Sequence, residues 1–369
     1  MLFRETEGLK GFFGETSRLS QVLRNSGSGC ASIMHLNLTN SSFGIVSGSI
    51  LYFISEKPGK TGWRTRPSFR ARNYIRYIHT PTRTRTSRIP LAYELHTSKH
   101  ANRTQSDSTT RNPIIFLHGF LGSKRENRGV GKILAQDLSQ HVFCLDLRNH
   151  GDSGHHPKHD YMEMAIDVEH FITTHGLNNA TLIGHSMGAK TALTLALQSP
   201  DLISKVVAID NCPIHLDLTE EFPRYLKAME EVQDARVKSH QEGDKILSKY
   251  EDSPSVRLWL LSNFVRERDS PHLKLRVPLD VLTTAIGPLG DFPHKGKFVQ
   301  FPKPALFLRA LQSHYIPESS FPVISSFFPR SRIVNIDCGH WIVQERPEEF
   351  RQAVVQFLRE KDEVDSLDL

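Results

Sequence analysis

The sequence predicts an α/β fold: a mostly parallel sheet flanked by helices, with a helical lid insertion. Three observations carry that reading. From Ile114 onward, short apolar runs alternate with helical patterns, the mark of repeated β-α units with parallel strands. The run Ile114–Leu117 is continuously apolar, which suits a strand covered on both faces. A further run at 181–183 passes into the helical pattern Met187–Gln198 through Gly184-His185-Ser186-Met187-Gly188. This G-x-S-x-G pattern leaves room only for a very sharp turn.

Residues 1–88 precede the alternation and read as a leader. Residues 1–90 hold 14 of the 46 basic residues and 4 of the 40 acidic ones, and residues 57–88 hold ten basic residues and no acid. Such an Arg-rich, hydroxyl-rich, acid-poor segment predicts a mitochondrial presequence followed by a disordered arm, although Glu5, Glu7 and Glu15 are atypical of one. The net charge of +6 belongs to this leader, because the rest of the chain carries 32 basic and 36 acidic residues. A nucleic-acid-binding catalytic domain is therefore not expected. The apolar patch at 43–54 is interrupted by Gly44, Ser47, Gly48 and Ser49. It falls short of the roughly twenty apolar residues that span a membrane. Cys30, Cys144, Cys212 and Cys338 are scattered without a C-x-x-C pair, as in a reducing compartment.

The folded domain is expected over 89–365. Residues 91–95 alternate like an edge strand, and strands are expected at 114–117, 142–147, 206–209, 305–308 and 333–336. Helices are expected at 131–138, 162–175 and from Pro347, where Glu348 and Glu349 suit a first turn and Phe350, Val354, Phe357 and Leu358 form a buried face. Residues 214–302 break the pattern. They are helical and charged, with Phe222, Leu226 and Met229 on one stripe and Val256, Leu260 and Phe264 on another. An insertion between sheet strands forms a lid over the site, or a surface elaboration without a gating role.

In a parallel sheet the functional loops lie at the carboxyl ends of the strands. Ser186 heads a helix there, where backbone N–H groups point outward, and a serine so placed is a nucleophile's hydroxyl in need of a base. His340, in Asp337-Cys338-Gly339-His340-Trp341, follows the last strand at the same end and is the candidate base, with Trp341 available to pack on it. The acid is open. Ser313 stands where a carboxylate after the penultimate strand would be expected, which leaves Asp210, at the end of the strand after the nucleophile helix, and Asp280 in the insertion. Oxyanion donors are expected from the Met187 N–H and the Phe120 N–H, the latter in His118-Gly119-Phe120-Leu121-Gly122 after the first buried strand. The polar loop at 146–153 should brace the site by internal hydrogen bonds. His155, His156 and His159 lack a carboxylate at ligand spacing and read as solvated loop residues, so no metal or other cofactor is expected.

The motifs Phe-Leu-His-Gly at 116–119, Asp-Leu-Arg-Asn-His-Gly-Asp-Ser at 146–153, Gly-His-Ser-Met-Gly-Ala-Lys at 184–190 and Gly-His-Trp at 339–341 resemble the mitochondrial α/β-hydrolases. That family includes the fungal ethanol acetyltransferases and related abhydrolase-domain proteins. The likeness runs from about residue 89 to the end. It implies the α/β-hydrolase fold and a Ser-Asp-His triad that falls on Ser186, Asp210 and His340. It also implies acetyl transfer from acetyl-CoA to ethanol, with hydrolysis of thioesters and esters as side reactions. Nothing in the sequence separates transferase from hydrolase.

The expected function is acyl transfer from a small ester or thioester, possible donors and acceptors including acetyl-CoA and a small alcohol. A non-catalytic binding or scaffolding module for a mitochondrial partner is the alternative. Haloalkane and epoxide hydrolases need an aspartate at the turn apex, which Ser186 occupies.

Overall fold

The computed structural model describes residues 88–98, 112–218 and 220–360. The leader, its apolar patch and Cys30 lie outside them. Strand β1 (Tyr93–His96) is followed by β2 (Ile114–Leu117), helix α1 (Lys124–Leu138), β3 (Val142–Leu145), α2 (Tyr161–Thr174), β4 (Ala180–His185), α3 (Met187–Gln198) and β5 (Ile203–Ile209). The insertion contributes α4 (Glu221–Asp234), α5 (His240–Leu247), α6 (Pro254–Leu261), a hairpin of β6 (Phe264–Arg266) and β7 (Leu273–Leu275), and α7 (Leu279–Gly290). The core resumes with β8 (Ala305–Ala310), α8 (Phe321–Phe327), β9 (Ser331–Ile336), α9 (Ile342–Glu345) and α10 (Pro347–Arg359).

Seven strands pair in the order β1-β3-β2-β4-β5-β8-β9, all parallel except β1. Side chains alternate across a strand, so both faces must be covered for a continuous apolar run to be buried. Ile115, Leu117, Leu182 and Val206 join a cluster with Met164 and Val168 of α2, Leu193 of α3, and Phe222 and Leu226 of α4. Ile114, Phe116, Ile183 and Val207 join a second cluster with Leu134 of α1 and Phe350 and Val354 of α10. The chain moves from β2 to β3 on one side, then returns to place β4 on the other. Loops leaving β2 and β4 therefore diverge, and the crevice between their carboxyl ends is where a ligand fits.

Local patterns mislead where polar contacts replace apolar ones. Helix α1 starts at Lys124 rather than at 131, because its first turns are anchored by polar groups: the Lys124 N–H donates to Asp146 Oδ1 at 2.6 Å, and Lys124 and Asn127 are themselves buried. Phe264 belongs to β6, opposite Leu275 of β7, and not to a helical stripe.

The loop after β3 is pinned by Arg148, which is fully buried. Its guanidinium donates to Asp167 of α2 at 2.7 and 3.0 Å and to the Lys158 carbonyl at 2.9 Å. Burial pushes the Asp167 carboxyl up even against this cation, so the pair is costly to bury and costlier to break. Arg148→Met is expected to destabilise the fold by about 3 kcal/mol. Thermal unfolding should show this as a Tm lowered by roughly 6–12 °C; an unchanged Tm would mean that the loop does not depend on the pair.

Candidate active site

The turn between β4 and α3 is set by steric contact. A Cβ at Gly184 would lie 2.2 Å from the Gly188 carbonyl oxygen, and one at Gly188 would lie 2.4 Å from the Leu117 oxygen. Only hydrogen fits at either position, so helix and strands meet without spacers. Between them Ser186 adopts φ 54° and ψ −114°, a conformation that costs a side-chain-bearing residue roughly 1–3 kcal/mol. Backbone bonds on both sides hold it there: the Ser186 N–H donates to the Ile209 carbonyl at 3.0 Å, and Asn211 Nδ2 donates to the Ser186 carbonyl at 3.2 Å.

His340 and Asp210 come together from 130 residues apart. The His340 Nδ1–H donates to Asp210 Oδ2 at 2.7 Å, and the other carboxylate oxygen accepts the Ala310 N–H at 3.1 Å. Asp210 is fully buried, with φ 45°. Asp280 is exposed in the first turn of α7, and Ser313 hydrogen-bonds the Tyr315 N–H at 3.3 Å, so neither takes this place. The imidazole is stacked on Tyr315 at 4.0 Å between centroids, closer than the 6.1 Å to Trp341. Its backbone is tied to the nucleophile turn, since His185 Nε2–H donates to the His340 carbonyl at 2.9 Å. Burial pulls the His185 pKa down to about 3, so this donor is neutral. Ser186 and His340 are not hydrogen-bonded to each other, as is common before substrate tightens such a site.

Phe120 and Met187 flank the serine from the loop after β2 and from the head of α3, where first-turn N–H groups have no helical acceptor. The Phe120 loop is braced by two histidines unforeseen from sequence. His118 Nε2 accepts the Leu147 N–H at 2.9 Å while its Nδ1–H donates to the Gly119 carbonyl at 2.7 Å. His150 Nε2 accepts the Leu121 N–H at 3.1 Å while its Nδ1–H donates to the Arg148 carbonyl at 2.9 Å. These roles require neutral rings, and burial pulls both pKa values down. The 146–153 loop thus braces the site as expected from sequence, with Asp146 also accepting the Asp152 N–H at 2.7 Å. The solvated reading fails for His159, which is buried beside Asn149 at 3.3 Å. An unbroken polar sequence gave no sign of that burial.

Ser186 lines a narrow cavity of about 10 Å³, together with Phe120, Met187, Lys190, Phe222 and Tyr315 among others. His340 lines an adjoining hollow of about 140 Å³ that shares Phe222 and Tyr315. Phe222 of α4 and Ile286 and Leu289 of α7 are insertion residues. Residues of the segment at 214–302 therefore line the cavity that Ser186 lines.

Residues 112–347 match the family model described as "alpha/beta hydrolase fold". An abhydrolase domain-containing protein of Schizosaccharomyces pombe is 37% identical, the match covering 67% of this chain and 92% of that protein. A probable alcohol acetyltransferase of Saccharomyces cerevisiae is 37% identical, covering 73% and 83%. The sn-1-specific diacylglycerol lipase ABHD11 of Xenopus laevis is 34% identical, covering 67% and 79%. Among solved structures, a marine microorganism esterase superposes with a TM-score of 0.66 at 28% identity, covering 73% of this chain and 99% of that one.

The Glu126 carboxylate packs against Gly122 of the Phe120 loop, with Oε1 buried and without a hydrogen-bond partner. Burial pushes this carboxyl from 4.5 up to about 8. The folded protein then holds a proton that the unfolded chain releases, so stability falls as pH rises through that interval. Glu126→Gln is expected to flatten the fall in Tm between pH 5 and 8 and to raise Tm at the upper end by several degrees. Identical slopes in wild type and variant would show that the carboxyl is ionised in the fold.

Proposed function

This chain belongs to the α/β-hydrolase fold family, and we propose that it is a serine acyl hydrolase or acyltransferase acting on short-chain esters or thioesters. The observation that carries the proposal is the 2.7 Å Asp210–His340 pair, tied through His185 to a serine held in a strained turn. In this reading Ser186 Oγ attacks the carbonyl carbon as His340 Nε2 takes its proton. Asp210 keeps the ring oriented and stabilises the imidazolium. The oxyanion is met by the Phe120 and Met187 N–H groups, each worth about 3 kcal/mol of barrier. Collapse breaks the bond to the alcohol or thiol, which leaves with the proton from His340. Water or an alcohol then attacks the acyl-serine, His340 again taking its proton, and releases acid or new ester.

An alcohol as acceptor rests on likeness to the relative named a probable alcohol acetyltransferase, and acetyl-CoA as donor and ethanol as acceptor are what the resemblance of the motifs to the ethanol acetyltransferases implies; thioester and ester hydrolysis are then side reactions. The relative named a diacylglycerol lipase points to hydrolysis instead. A mitochondrial location rests on the basic, acid-poor leader.

Ser186→Ala should abolish labelling by fluorophosphonates and turnover of p-nitrophenyl acetate. Asp210→Asn should lower kcat by about 10³–10⁴, whereas Asp280→Asn should leave it unchanged. Acetyl-CoA supplied with and without ethanol, with acetate and ethyl acetate measured, separates hydrolase from transferase. A wild-type protein that neither labels nor turns over would sink the enzymatic reading.

A further inference from the structure

The cavity that Ser186 lines is about 10 Å³, room for a single water-sized group, so the bulk of a substrate has to lie elsewhere. The steps above say where. His340 gives its proton to the departing alcohol and takes one from the attacking alcohol, so the alcohol side of an ester meets the imidazole. The hollow that His340 lines is about 140 Å³. An apolar cavity of about 150 Å³ accepts benzene, so roughly six or seven heavy atoms fit.

The walls of this hollow are aromatic. Phe222 and Tyr225 come from α4, Trp259 from α6, Tyr315 from the loop after β8, and His340 and Trp341 from the loop after β9. Each ring touches the next. Centroids lie 6.4 Å apart for Phe222 and Tyr225, 6.1 Å for Tyr225 and Trp259, and 4.9 Å for Trp259 and Trp341. The belt continues at 6.1 Å from Trp341 to His340 and at 4.0 Å from His340 to Tyr315. Aliphatic side chains would exclude water as well; what aromatic rings add is a negative face that attracts a cation.

The charge on the hollow has the matching sign. Among the described residues no lysine or arginine lines it, and Glu221, at the exposed first position of α4, is its one carboxylate. Glu221 Oε1 accepts the Tyr225 O–H at 2.7 Å, whereas the neighbouring Arg224 pairs with Glu251, at 3.5 Å. A carboxylate beside aromatic rings repels an anion and attracts a cation. A quaternary ammonium suits such a wall best, because it has no N–H that needs an acceptor.

We infer that the hollow holds the alcohol portion of an ester that carries a quaternary ammonium group, as a choline ester does. The inference rests on the serine acyl-transfer reading for which end of the substrate meets His340. The acyl C–O bond breaks as the alcohol oxygen takes the proton from His340. The nitrogen keeps its four bonds and its charge throughout, so no proton moves within the belt. In the opposite direction a choline-like alcohol is the acceptor, which the belt orients against His340 where it cannot orient water.

The test compares kcat/KM for acetylcholine and for its uncharged carbon isostere, 3,3-dimethylbutyl acetate, and titrates choline calorimetrically, which needs no turnover. Wild type should bind choline and prefer acetylcholine by roughly tenfold. Trp259→Leu should weaken both by roughly tenfold. Glu221→Gln should weaken both by about threefold, and Glu221→Asp should restore part of the loss. Glu221 is exposed, so its variants carry the test even where Trp259→Leu fails to fold. Wild type that binds no choline, or that turns over the isostere or benzyl acetate as well as acetylcholine, overturns the inference and leaves the acyl-transfer reading standing. Choline binding that Glu221→Gln weakens, without turnover of any ester, would uphold the hollow and sink the enzymatic reading instead.

Discussion

Helix α3 lies against β2 and β4 so closely that hydrogen is the largest group the contact admits. Gly188 abuts the carbonyls of Leu117 and His118, and Gly184 abuts Gly188 itself. This contact dictates how abruptly the chain must turn, and the abrupt turn is what forces Ser186 to a positive φ. The strain is offset by hydrogen bonds from residues on neighbouring strand ends. Ile209 accepts the Ser186 N–H, and Asn211 holds its carbonyl. The same stretch after β5 presents Asp210, so the groups that stabilise the serine's backbone also deliver the carboxylate to His340.

Around this turn the polar interior is built from neutral rings and from the Asp210 carboxylate, both of whose oxygens accept hydrogen bonds. His118, His150 and His185 each use ring nitrogens as fixed donors or acceptors to backbone groups, and burial keeps them uncharged. Three neutral histidines place no positive charge beside the Asp210–His340 pair. His340 differs by having a buried carboxylate at Nδ1 and a partly exposed ring.

The insertion performs two physical tasks. Its apolar residues close the serine's cavity, and the carbonyls at the end of α7 receive the Lys190 ammonium. The first surrounds Ser186 with apolar walls. The second leaves a cation in a nearly dry space, where electrostatic interactions are stronger than in solvent.

The amino-acid sequence determined the elements whose cause is local. A continuous apolar run, a glycine-flanked serine and a proline-led helix each reflect sterics and burial within a few residues, so β2, the turn at Ser186 and α10 were legible. So were His340 and the loop carrying Phe120, because position after a strand places them. Only the tertiary structure shows that Asp210, and not Asp280, is the carboxylate hydrogen-bonded to His340, since a partner 130 residues away is chosen by strand order and not by spacing. It also decided that α1 begins in a charged segment, that Phe264 is extended, and that His159 is buried. In each case a specific polar or backbone contact from another segment, 10 to 22 residues away, outweighs the local pattern.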